Sequence, residues 1–292
     1  MSFFMKKLLI TGGNGFLGSR IIRALGNNHE IYSATSDKLD ITNEESVYKL
    51  VKELKPDYII HGAAVAETKF CDENPEFAYN LNVNGALNMA KAAEATKSKM
   101  VFFSTEQIFN GNFVKGPFKE EDAAVPNTQY GKTKLEAEKK LLDAMDELWI
   151  LRLTWMFGMP ERGLKTNPNI LWDTIRSAYM HKKILAPVNE YRGMTYVYDF
   201  VDQIENVFDM NYGIYHTGSE NDLSRYDIVE YILKKIGVTQ EGVDHILIPD
   251  KDKYLEKSRD VRLDTKKINN SGLVFPSTVD AIDKALKEYS MV

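Results

Sequence analysis

A tyrosine and a lysine four residues apart form the first pair in the sequence that could do chemistry. Tyr130 and Lys134 lie in the segment YGKTK, within a stretch with a helical pattern, so both side chains fall on one face of the helix. A tyrosine with its ordinary pKa of about 10 is a poor acid or base at neutral pH, but a nearby ammonium lowers that pKa by favouring the phenolate. The pair is therefore suited to proton exchange with a carbonyl or hydroxyl group.

A glycine-rich turn near the N-terminus is suited to holding phosphate groups. The segment TGGNGFLG follows a short apolar run and opens a helical pattern, with glycines at positions 12, 15 and 18. Glycines at this spacing permit a tight turn, let the backbone approach a pyrophosphate and let the helix pack close to its strand. The pyrophosphate then sits at the positive end of the helix. The segment predicts a dinucleotide-binding loop.

The end of the second predicted strand bears on which dinucleotide binds. Enzymes that use NAD place an Asp or Glu there for the ribose 2′-hydroxyl. This chain has small hydroxyl residues followed by Asp37 and Lys38, and no arginine stands ready for a 2′-phosphate. The pattern favours NADP and leaves NAD open.

These residues need a framework, and the first half of the chain predicts one. Five short apolar runs without polar alternation are typical of strands buried on both faces. Between them lie amphipathic segments with helix-start signals, among them a capping box at Thr42 and Glu45 and the pair Asn74-Pro75, which opens a long helix to about Thr96. The helix of Tyr130 is predicted over 128–145. The predicted strands cover 7–11, 30–34, 58–61, 100–104 and 149–153.

After Gly158 the alternation of strand and helix patterns changes. A loop leads to a predicted helix over 170–181, strand-like pieces follow at 195–198, 213–217 and 245–248, and Ser224 and Ser277 begin capped helices. We therefore predict an α/β fold with a Rossmann-type, doubly wound parallel sheet over residues 1–158, to which part of 184–212 returns. Residues 159–292 are predicted to form a smaller, mixed α/β portion that binds substrate.

Composition excludes several classes of function. The 292 residues carry 37 Lys and Arg against 42 Asp and Glu, a net charge of −5, which provides no basic face for nucleic acid. The single cysteine, Cys71, excludes an intramolecular disulfide and a cysteine-rich metal site. The scattered histidines lack the spacing of zinc ligands, and we predict no metal site. No apolar run approaches the roughly 18 residues needed to cross a bilayer. We expect a globular, cytoplasmic protein.

Motifs along nearly the whole chain resemble the extended short-chain dehydrogenase/reductase superfamily. Within that superfamily the sequence is most similar to the dTDP-4-dehydrorhamnose reductase family. The motifs that carry the resemblance are TGGNGFLG at 11–18, LDIT at 39–42, KPDYIIHGAA at 55–64, NPEFAYNLNVNG at 74–85, STEQIFNG at 104–111, YGKTK at 130–134, ILRLTWMFG at 150–158, TYVYDF at 195–200, GIYHTGS at 213–219 and RLDTKK at 262–267.

The resemblance implies a reductase that transfers hydride from NADPH or NADH to a nucleotide-activated 4-keto-6-deoxy sugar, with Thr105, Tyr130 and Lys134 as the catalytic set. Tyr130 would donate the proton, and Lys134 would also bind the nicotinamide ribose. The implied substrate contacts are Glu106, Gln107, Trp155, Asn169 and Arg192, with Arg262 as a further phosphate-side candidate. The implied cofactor contacts, besides Tyr130 and Lys134, are Gly12, Gly15, Phe16, Leu17, Gly18, Asp40, Ile41, Ala63, Ala64 and Val65.

Several positions depart from the family pattern and leave alternatives open. Where the family has Ser-Thr-Asp-Tyr, this chain has Glu106 and Gln107 after Thr105, and Ala66 and Lys69 also replace family residues that face substrate. A different sugar nucleotide is one reading of these changes. A sugar-nucleotide epimerase or dehydratase is another, although Glu106 is a single carboxylate where dehydratases need a pair. A third is a non-catalytic cofactor-binding subunit like the methionine adenosyltransferase β subunit. A homodimer is open by analogy alone.

Overall fold

The computed structural model describes residues 5–292, which fold into two compact units. The first, here the sheet unit, comprises the described residues up to Asn112 together with Ala123–Arg152 and Val201–Tyr215. The second, here the mixed unit, comprises Phe113–Asp122, Leu153–Phe200 and His216–Val292. The chain therefore passes between the units several times. The single boundary after residue 158 stays a prediction.

A six-stranded sheet forms the centre of the sheet unit. Its strands, in order across the sheet, are β10 Gly213–Thr217, β5 Leu148–Leu153, β4 Lys99–Thr105, β3 Tyr58–His61, β1 Lys7–Thr11 and β2 Glu30–Ala34. Strand β1 pairs in parallel with both β2 and β3, and β3 pairs in parallel with β4. The chain order reverses between β1 and β3, and open α/β sheets bind ligands outside the carboxyl ends of the strands at such a point.

Helices of the sheet unit bury apolar faces in a core with the sheet, where Leu9, Ile59, Met89 and Ile150 are nearly inaccessible. The α-helices are α1 Phe16–Leu25, α2 Glu44–Leu54, α3 Thr68–Glu73, α4 Pro75–Tyr79, α5 Gly85–Thr96 and α6 Gln129–Ala144. A π-helical segment, Asn80–Asn84, lies between α4 and α5, and two 3₁₀ helices cover Glu106–Phe109 and Ile204–Asp209.

The five strands predicted in the first half are confirmed, three with identical bounds and two to within one residue at each end. Two helix predictions need correction. The long helix predicted from Asn74 is interrupted by the π-helical segment. The capping box at Thr42 is wrong: Asn43 is the N-cap of α2 and accepts a hydrogen bond from the Ser46 N–H at 2.9 Å. The reason is local, because the Asp40 carboxylate already accepts from both the N–H and the hydroxyl of Thr42.

The mixed unit contains short parallel strand pairs and several helices. The predicted capping box at Ser224 and the predicted cap at Ser277 are confirmed. The strand predicted over 245–248 begins two residues too early, because His245 and Ile246 are the last residues of helix α10 (Gln240–Ile246). The remaining elements are β6 Trp155–Phe157, α7 Ile170–Tyr179, β7 Ile184–Pro187, β8 Glu190–Tyr191, β9 Met194–Tyr196, α8 Val197–Val201, α9 Arg225–Lys235, α10 Gln240–Ile246, β11 Leu247–Asp250, β12 Arg259–Asp260, α11 Lys266–Asn270 and α12 Thr278–Glu288. The strand pairs are β6 with β9, β11 with β7 and β12 with β8.

None of the helices in residues 5–292 is both long enough and apolar enough to cross a membrane. Within the same residues, His, Cys, Asp and Glu side chains form no group of three or more that could hold a metal ion.

Candidate active site

The glycine turn after β1 is shaped by close backbone contacts. Gly12 has a φ of +71°, and a Cβ on it would lie 2.7 Å from the Gly62 carbonyl oxygen at the end of β3. The Gly15 N–H donates to the Gly12 carbonyl oxygen at 2.8 Å, and a Cβ on Gly18 would overlap that same oxygen. Larger residues at positions 12 and 18 would therefore displace the turn from the strand ends.

The N-terminus of α1 fits the pyrophosphate of a dinucleotide. Gly15 is the N-cap of this ten-residue helix, and no described side chain caps it, so its first amides remain available to a ligand. Phe16 is buried beneath the turn, with the Arg20 guanidinium 4.3 Å from its ring centroid and donating to its carbonyl oxygen at 2.8 Å. Leu17 is partly exposed. The turn is therefore fixed on the side of Phe16, while the first amides of α1 remain available, and a bound phosphate requires both conditions.

The two residues predicted beside the adenine present different groups. Asp40 is exposed, and hydrogen bonds from the side chain and backbone of Thr42 lower the pKa of its carboxyl group. Ile41 turns its side chain into the core, and its carbonyl oxygen accepts from the buried Asn88 side chain at 3.0 Å. Asp40 therefore offers an ionised carboxylate at the surface, whereas the Ile41 side chain serves packing.

The segment after β3 is held by two polar side chains. The Ala63 N–H donates to the Thr11 hydroxyl at 3.2 Å, while Ala64 is exposed. The buried Asn82, in the π-helical segment, accepts from the Val65 N–H and donates to the Val65 carbonyl oxygen, both at 2.9 Å. It also donates to the hydroxyl of Thr133 on α6 at 3.1 Å. Asn82 thus connects this segment to the helix that carries Tyr130 and Lys134.

Strand β4 ends at Thr105, close to the start of α6. Thr105 is buried and caps the following 3₁₀ helix by accepting from the Gln107 N–H at 3.2 Å, which leaves its hydroxyl hydrogen for another acceptor. A Cβ on Gly131 would lie 2.7 Å from the Gln107 carbonyl oxygen, so the first turn of α6 packs directly on this 3₁₀ helix. Thr105 and the Tyr130–Lys134 turn are in this way brought together within the sheet unit.

Lys134 is an ammonium group in a buried setting. Its side chain is 3% exposed, Nζ lies 3.8 Å from the centroid of the Phe102 ring, and no described residue accepts a hydrogen bond from it. Burial lowers the pKa of Lys134 to about 7, against the raising effect of the Glu138 carboxylate one turn further along α6. The unused N–H donors suit a hydroxyl-bearing ligand such as a ribose.

His61 faces the same ring and stays neutral. Its imidazole stacks on Phe102 at 5.9 Å between centroids, and Nδ1 lies 2.8 Å from the Thr11 hydroxyl. Burial, with a further effect of the Lys134 charge, lowers the pKa of His61 to about 3. Nε2 is buried and finds no hydrogen-bond partner among residues 5–292. His61 is therefore a polar wall of the site at neutral pH.

A buried ion pair under α6 was not predicted from the sequence. The Arg152 side chain on β5 donates to Glu138 from Nε at 3.1 Å and from Nη2 at 2.7 Å, and the hydroxyl of Ser104 donates to the same carboxylate. Glu138 and Arg152 are both almost inaccessible. Position 138 lies four residues after 134 and eight after 130, so helical spacing was the signal available. The carboxylate ties β4, β5 and α6 together.

The substrate candidates of the sheet unit lie around the 3₁₀ helix after Thr105. Glu106 is buried, and the Gln107 side-chain oxygen is buried with no hydrogen-bond partner in the described part of the chain. Ala66 and Lys69 are exposed, and Lys69 forms an ion pair of 3.8 Å with Glu73. The Gln107 amide oxygen is thus one buried acceptor here that a ligand could use.

The other substrate candidates belong to the mixed unit. The Asn169 side chain caps α7 through the Trp172 N–H and donates to two backbone carbonyl oxygens, so most of its hydrogen-bonding capacity is occupied. Trp155 is partly buried, with the Arg192 guanidinium 4.6 Å from its ring centroid. Arg262 is bound by Asp260 and Asp222. The roles assigned to these residues stay predictions.

A comparison with protein-family models matches residues 5–291 to the RmlD substrate binding domain. The chain belongs to this family. It is 28% identical over 300 residues to dTDP-4-dehydrorhamnose reductase of Aggregatibacter actinomycetemcomitans, covering 98% of this chain and 100% of that protein. It is 27% identical over 237 residues to methionine adenosyltransferase 2 subunit beta of Xenopus tropicalis, covering 76% and 70%.

The fold also matches a solved structure along its whole length. The crystal structure of dTDP-4-dehydrorhamnose reductase from Bacillus anthracis strain Ames, in complex with NADP, superposes with a TM-score of 0.85 at 24% identity and covers 98% of this chain and 100% of that one. The predicted RmlD-type family and Rossmann-type fold are confirmed. The predicted oxidoreductase class and NADP cofactor agree with the names of these relatives. The roles of individual residues remain predictions.

The neutral His61 gives a testable pH dependence. Because its folded pKa of about 3 lies below the ordinary 6.5, the unfolded chain binds a proton that the folded chain refuses, and stability falls as the pH drops below 6.5. Between pH 7.5 and pH 5, the wild type should lose about 2 kcal/mol more unfolding free energy than His61→Asn. Urea denaturation of both proteins at both pH values measures this. Equal losses would show that His61 takes up its proton in the folded state.

The Glu138–Arg152 pair gives a second prediction. Arg152→Met leaves a buried carboxylate without its counter-charge, so we expect the unfolding free energy to fall by about 3–5 kcal/mol. The double variant Glu138→Gln/Arg152→Met should recover most of that loss, since the amide keeps an oxygen for the Ser104 hydroxyl and buries no charge. Urea denaturation of the three proteins tests both expectations. A double variant as unstable as Arg152→Met alone would mean that packing, and not charge, explains the effect.

Proposed function

We propose that this protein is an NAD(P)H-dependent reductase of a nucleotide-activated 4-keto-6-deoxy sugar. The observation that carries the proposal is the placement of Thr105, Tyr130 and the buried Lys134 in the same unit as the open glycine turn. Membership of the RmlD family, in which curated relatives are named dTDP-4-dehydrorhamnose reductase, supports this choice of substrate class.

The dinucleotide is held by the glycine turn and the residues that line it. The backbone of Gly12, Gly15 and Gly18 binds the pyrophosphate, and the segment Ala63–Val65 lies along the bound dinucleotide. Lys134 donates a hydrogen bond to the nicotinamide ribose. When bound, NADPH or NADH supplies the hydride. The Asn82 hydrogen bonds to Val65 and Thr133 keep the loop and the helix in fixed relation.

Tyr130 is assigned the proton-transfer step, and Thr105 is assigned a hydrogen bond to the reacting oxygen. The Tyr130 hydroxyl donates its proton to the oxygen of the sugar carbonyl, and the free hydroxyl hydrogen of Thr105 binds the same oxygen. The Lys134 ammonium favours the phenolate that Tyr130 becomes after donation. Burial lowers the pKa of Lys134 to about 7, so its charged form is favoured less than that of an exposed lysine before any ligand binds.

Substrate contacts are assigned from the family pattern. We assign Glu106, Gln107, Trp155, Asn169 and Arg192 to contacts with the sugar nucleotide. Gln107 replaces a tyrosine of the family pattern and carries an unused buried acceptor, which suits a sugar hydroxyl. The change supports a sugar that differs from dehydrorhamnose.

A non-catalytic role is the second candidate, because relatives named methionine adenosyltransferase 2 subunit beta also cover about three quarters of the chain. The unbroken set of Thr105, Tyr130 and Lys134 favours catalysis over that role. An epimerase or dehydratase is less well supported, since Glu106 is followed by Gln107 and not by a second carboxylate.

Replacement of the proton donor tests the proposal directly. Tyr130→Phe should lower turnover by about 100-fold or more, because the ring still packs and the acid is gone, while cofactor affinity stays within about threefold. The assay follows the loss of reduced nicotinamide absorbance with dTDP-4-keto-6-deoxy sugar generated in the same tube, using NADPH and NADH in turn. Tyr179→Phe, at an exposed position, is the matched control.

Activity in Tyr130→Phe above about a tenth of the wild-type rate would remove Tyr130 as the acid. Tight cofactor binding by the wild type without any oxidation of NADPH or NADH would favour the non-catalytic role.

The glycine turn predicts the effect of a branched side chain. Gly15→Val places methyl groups against the Gly12 carbonyl oxygen and in the space in front of the α1 amides, so the dissociation constant for NADPH should rise at least about tenfold. Fluorescence titration measures it, and thermal unfolding confirms that the variant folds. An unchanged titration would show that the pyrophosphate binds elsewhere.

A further inference from the structure

Two uncharged aromatic side chains lie beside the buried Lys134 ammonium. Nζ is 3.8 Å from the centroid of the Phe102 ring on β4, and the His61 imidazole on β3 stacks on that same ring. Burial keeps His61 uncharged, because it lowers the pKa of that imidazole to about 3. The carboxylate that acts on Lys134 comes instead from its own helix, at Glu138 one turn further along α6.

The Glu138 carboxylate is fixed from two strands. The Arg152 side chain on β5 donates from Nε to both carboxylate oxygens at 3.1 Å and from Nη2 to Oε2 at 2.7 Å. The Ser104 hydroxyl on β4 donates to Oε1. The side chains of Glu138 and Arg152 are 2% and 6% exposed. The carboxylate therefore holds one position relative to Lys134, and little water reaches it to screen its charge.

A second glutamate on α6 shows by contrast what an exposed carboxylate does. Glu136 forms an ion pair of 3.9 Å with Lys140, and these two side chains are 41% and 35% exposed. Exposed pairs of this kind are screened by water and salt and contribute little. The same helix thus carries one glutamate that is buried and fixed and, two residues earlier, one that is exposed.

Strand β4 connects the carboxylate to the rest of the candidate active site. Phe102 and Ser104 are two residues apart, so both side chains lie on the same face of the strand. Phe102 contacts the Lys134 ammonium, and Ser104 binds Glu138. Thr105 follows Ser104 directly, so the hydrogen bond that fixes Ser104 also restrains the residue assigned to the reacting oxygen. The Glu138 carboxylate is in this way linked to the positions of both Lys134 and Thr105.

Charged side chains on the other elements that pack against α6 have partners of their own. On α3, the Asp72 carboxylate accepts from the Gln129 N–H at 2.8 Å, at the first residue of α6. On α5, Lys91 forms an ion pair of 2.9 Å with Glu44 of α2. Glu106 is buried in the 3₁₀ helix after β4. Of the carboxylates around α6, Glu138 is the one that raises the pKa of Lys134.

The fixed carboxylate opposes the effect of burial on Lys134. Burial lowers the pKa of Lys134 to about 7 even though Glu138 raises it, so without Glu138 that pKa would be lower still. An uncharged lysine could not favour the phenolate that Tyr130 becomes. We propose that Glu138, fixed by Arg152 and Ser104, is a positioning residue that keeps Lys134 charged for the proton transfer from Tyr130. The proposal rests on the proposed function for the reaction in which Tyr130 donates its proton.

Carbon-13 NMR of the full chain, labelled at the lysine Cε atoms, measures the protonation of Lys134 without cofactor or substrate. The Lys134 signal is identified by its loss in Lys134→Met. We expect its titration midpoint to lie about 0.5–1 pH unit lower in Glu138→Gln than in the wild type, because an amide does not favour the ammonium. Glu138→Gln/Arg152→Met, which buries no charge, should shift the midpoint in the same direction. Glu138→Asp, which keeps the carboxylate, should restore most of the wild-type midpoint.

Glu136→Gln is the matched control, because it removes the same charge from an exposed position on the same helix and should leave the Lys134 midpoint unchanged. Equal midpoints in the wild type, Glu138→Gln and the double variant would overturn the proposal and leave Glu138 a structural residue. A shift of the same size in Glu136→Gln would also overturn it, by assigning the effect to the net charge of the helix. Circular dichroism shows whether each variant folds, and the double variant decides if Glu138→Gln does not fold.

The pH dependence of turnover separates this proposal from the function itself. With dTDP-4-keto-6-deoxy sugar and NADPH, kcat should fall as the pH rises and Lys134 loses its proton, and this fall should occur at lower pH in Glu138→Gln and in the double variant. A shifted Lys134 midpoint without sugar reduction by the wild type would keep the role of Glu138 and remove the reductase. Sugar reduction with an unshifted midpoint and an unshifted kcat profile would keep the reductase and remove the role of Glu138.

Discussion

The burial of the Lys134 ammonium is the constraint on which the sheet unit depends. Burial alone disfavours the charged form, and its pKa falls to about 7. The opposing influence is the Glu138 carboxylate, which is itself buried and accepts hydrogen bonds from Arg152 and from the Ser104 hydroxyl. The Lys134 side chain thus depends on a set of hydrogen bonds and ion pairs that joins α6 to strands β4 and β5. His61, packed on the same ring as Lys134, remains neutral because burial lowers its pKa, with a further effect of the Lys134 charge.

The parallel sheet gathers the other site residues through the direction of its strands. Strands β1, β3 and β4 end at Thr11, His61 and Thr105, all at one edge, and the glycine turn closes against the end of β3. Side-chain hydrogen bonds then fix the loops that follow these strands: Thr11 binds the Ala63 N–H and Asn82 binds Val65. The geometry of the site is therefore set largely by the positions of the backbone, which the sheet and the loops after its strands determine.

The sequence predicted the features that depend on interactions between residues near each other in the chain. Apolar runs located the first five strands, the glycine spacing located the phosphate turn, and the four-residue spacing placed Tyr130 and Lys134 on one helix face. It failed where two local signals compete, as at α2, where Asp40 binds Thr42 and leaves Asn43 as the cap. It also missed contacts between distant segments. Glu190 meets Arg225 and Arg259 only through strand pairing, which no short pattern encodes.

The π-helical segment Asn80–Asn84 fixes the number of residues that this part of the chain can contain. Each residue of an α-helix turns the chain by about 100°, and a π-helical turn accommodates one residue more than an α-helical turn. That additional residue sets the angle between Asn82, which faces Val65 and Thr133, and the α5 face that buries Met89 in the core. Deletion of a single residue here would rotate one of these faces away from its partners. Related chains are therefore expected to vary in the composition of this segment far more freely than in its number of residues.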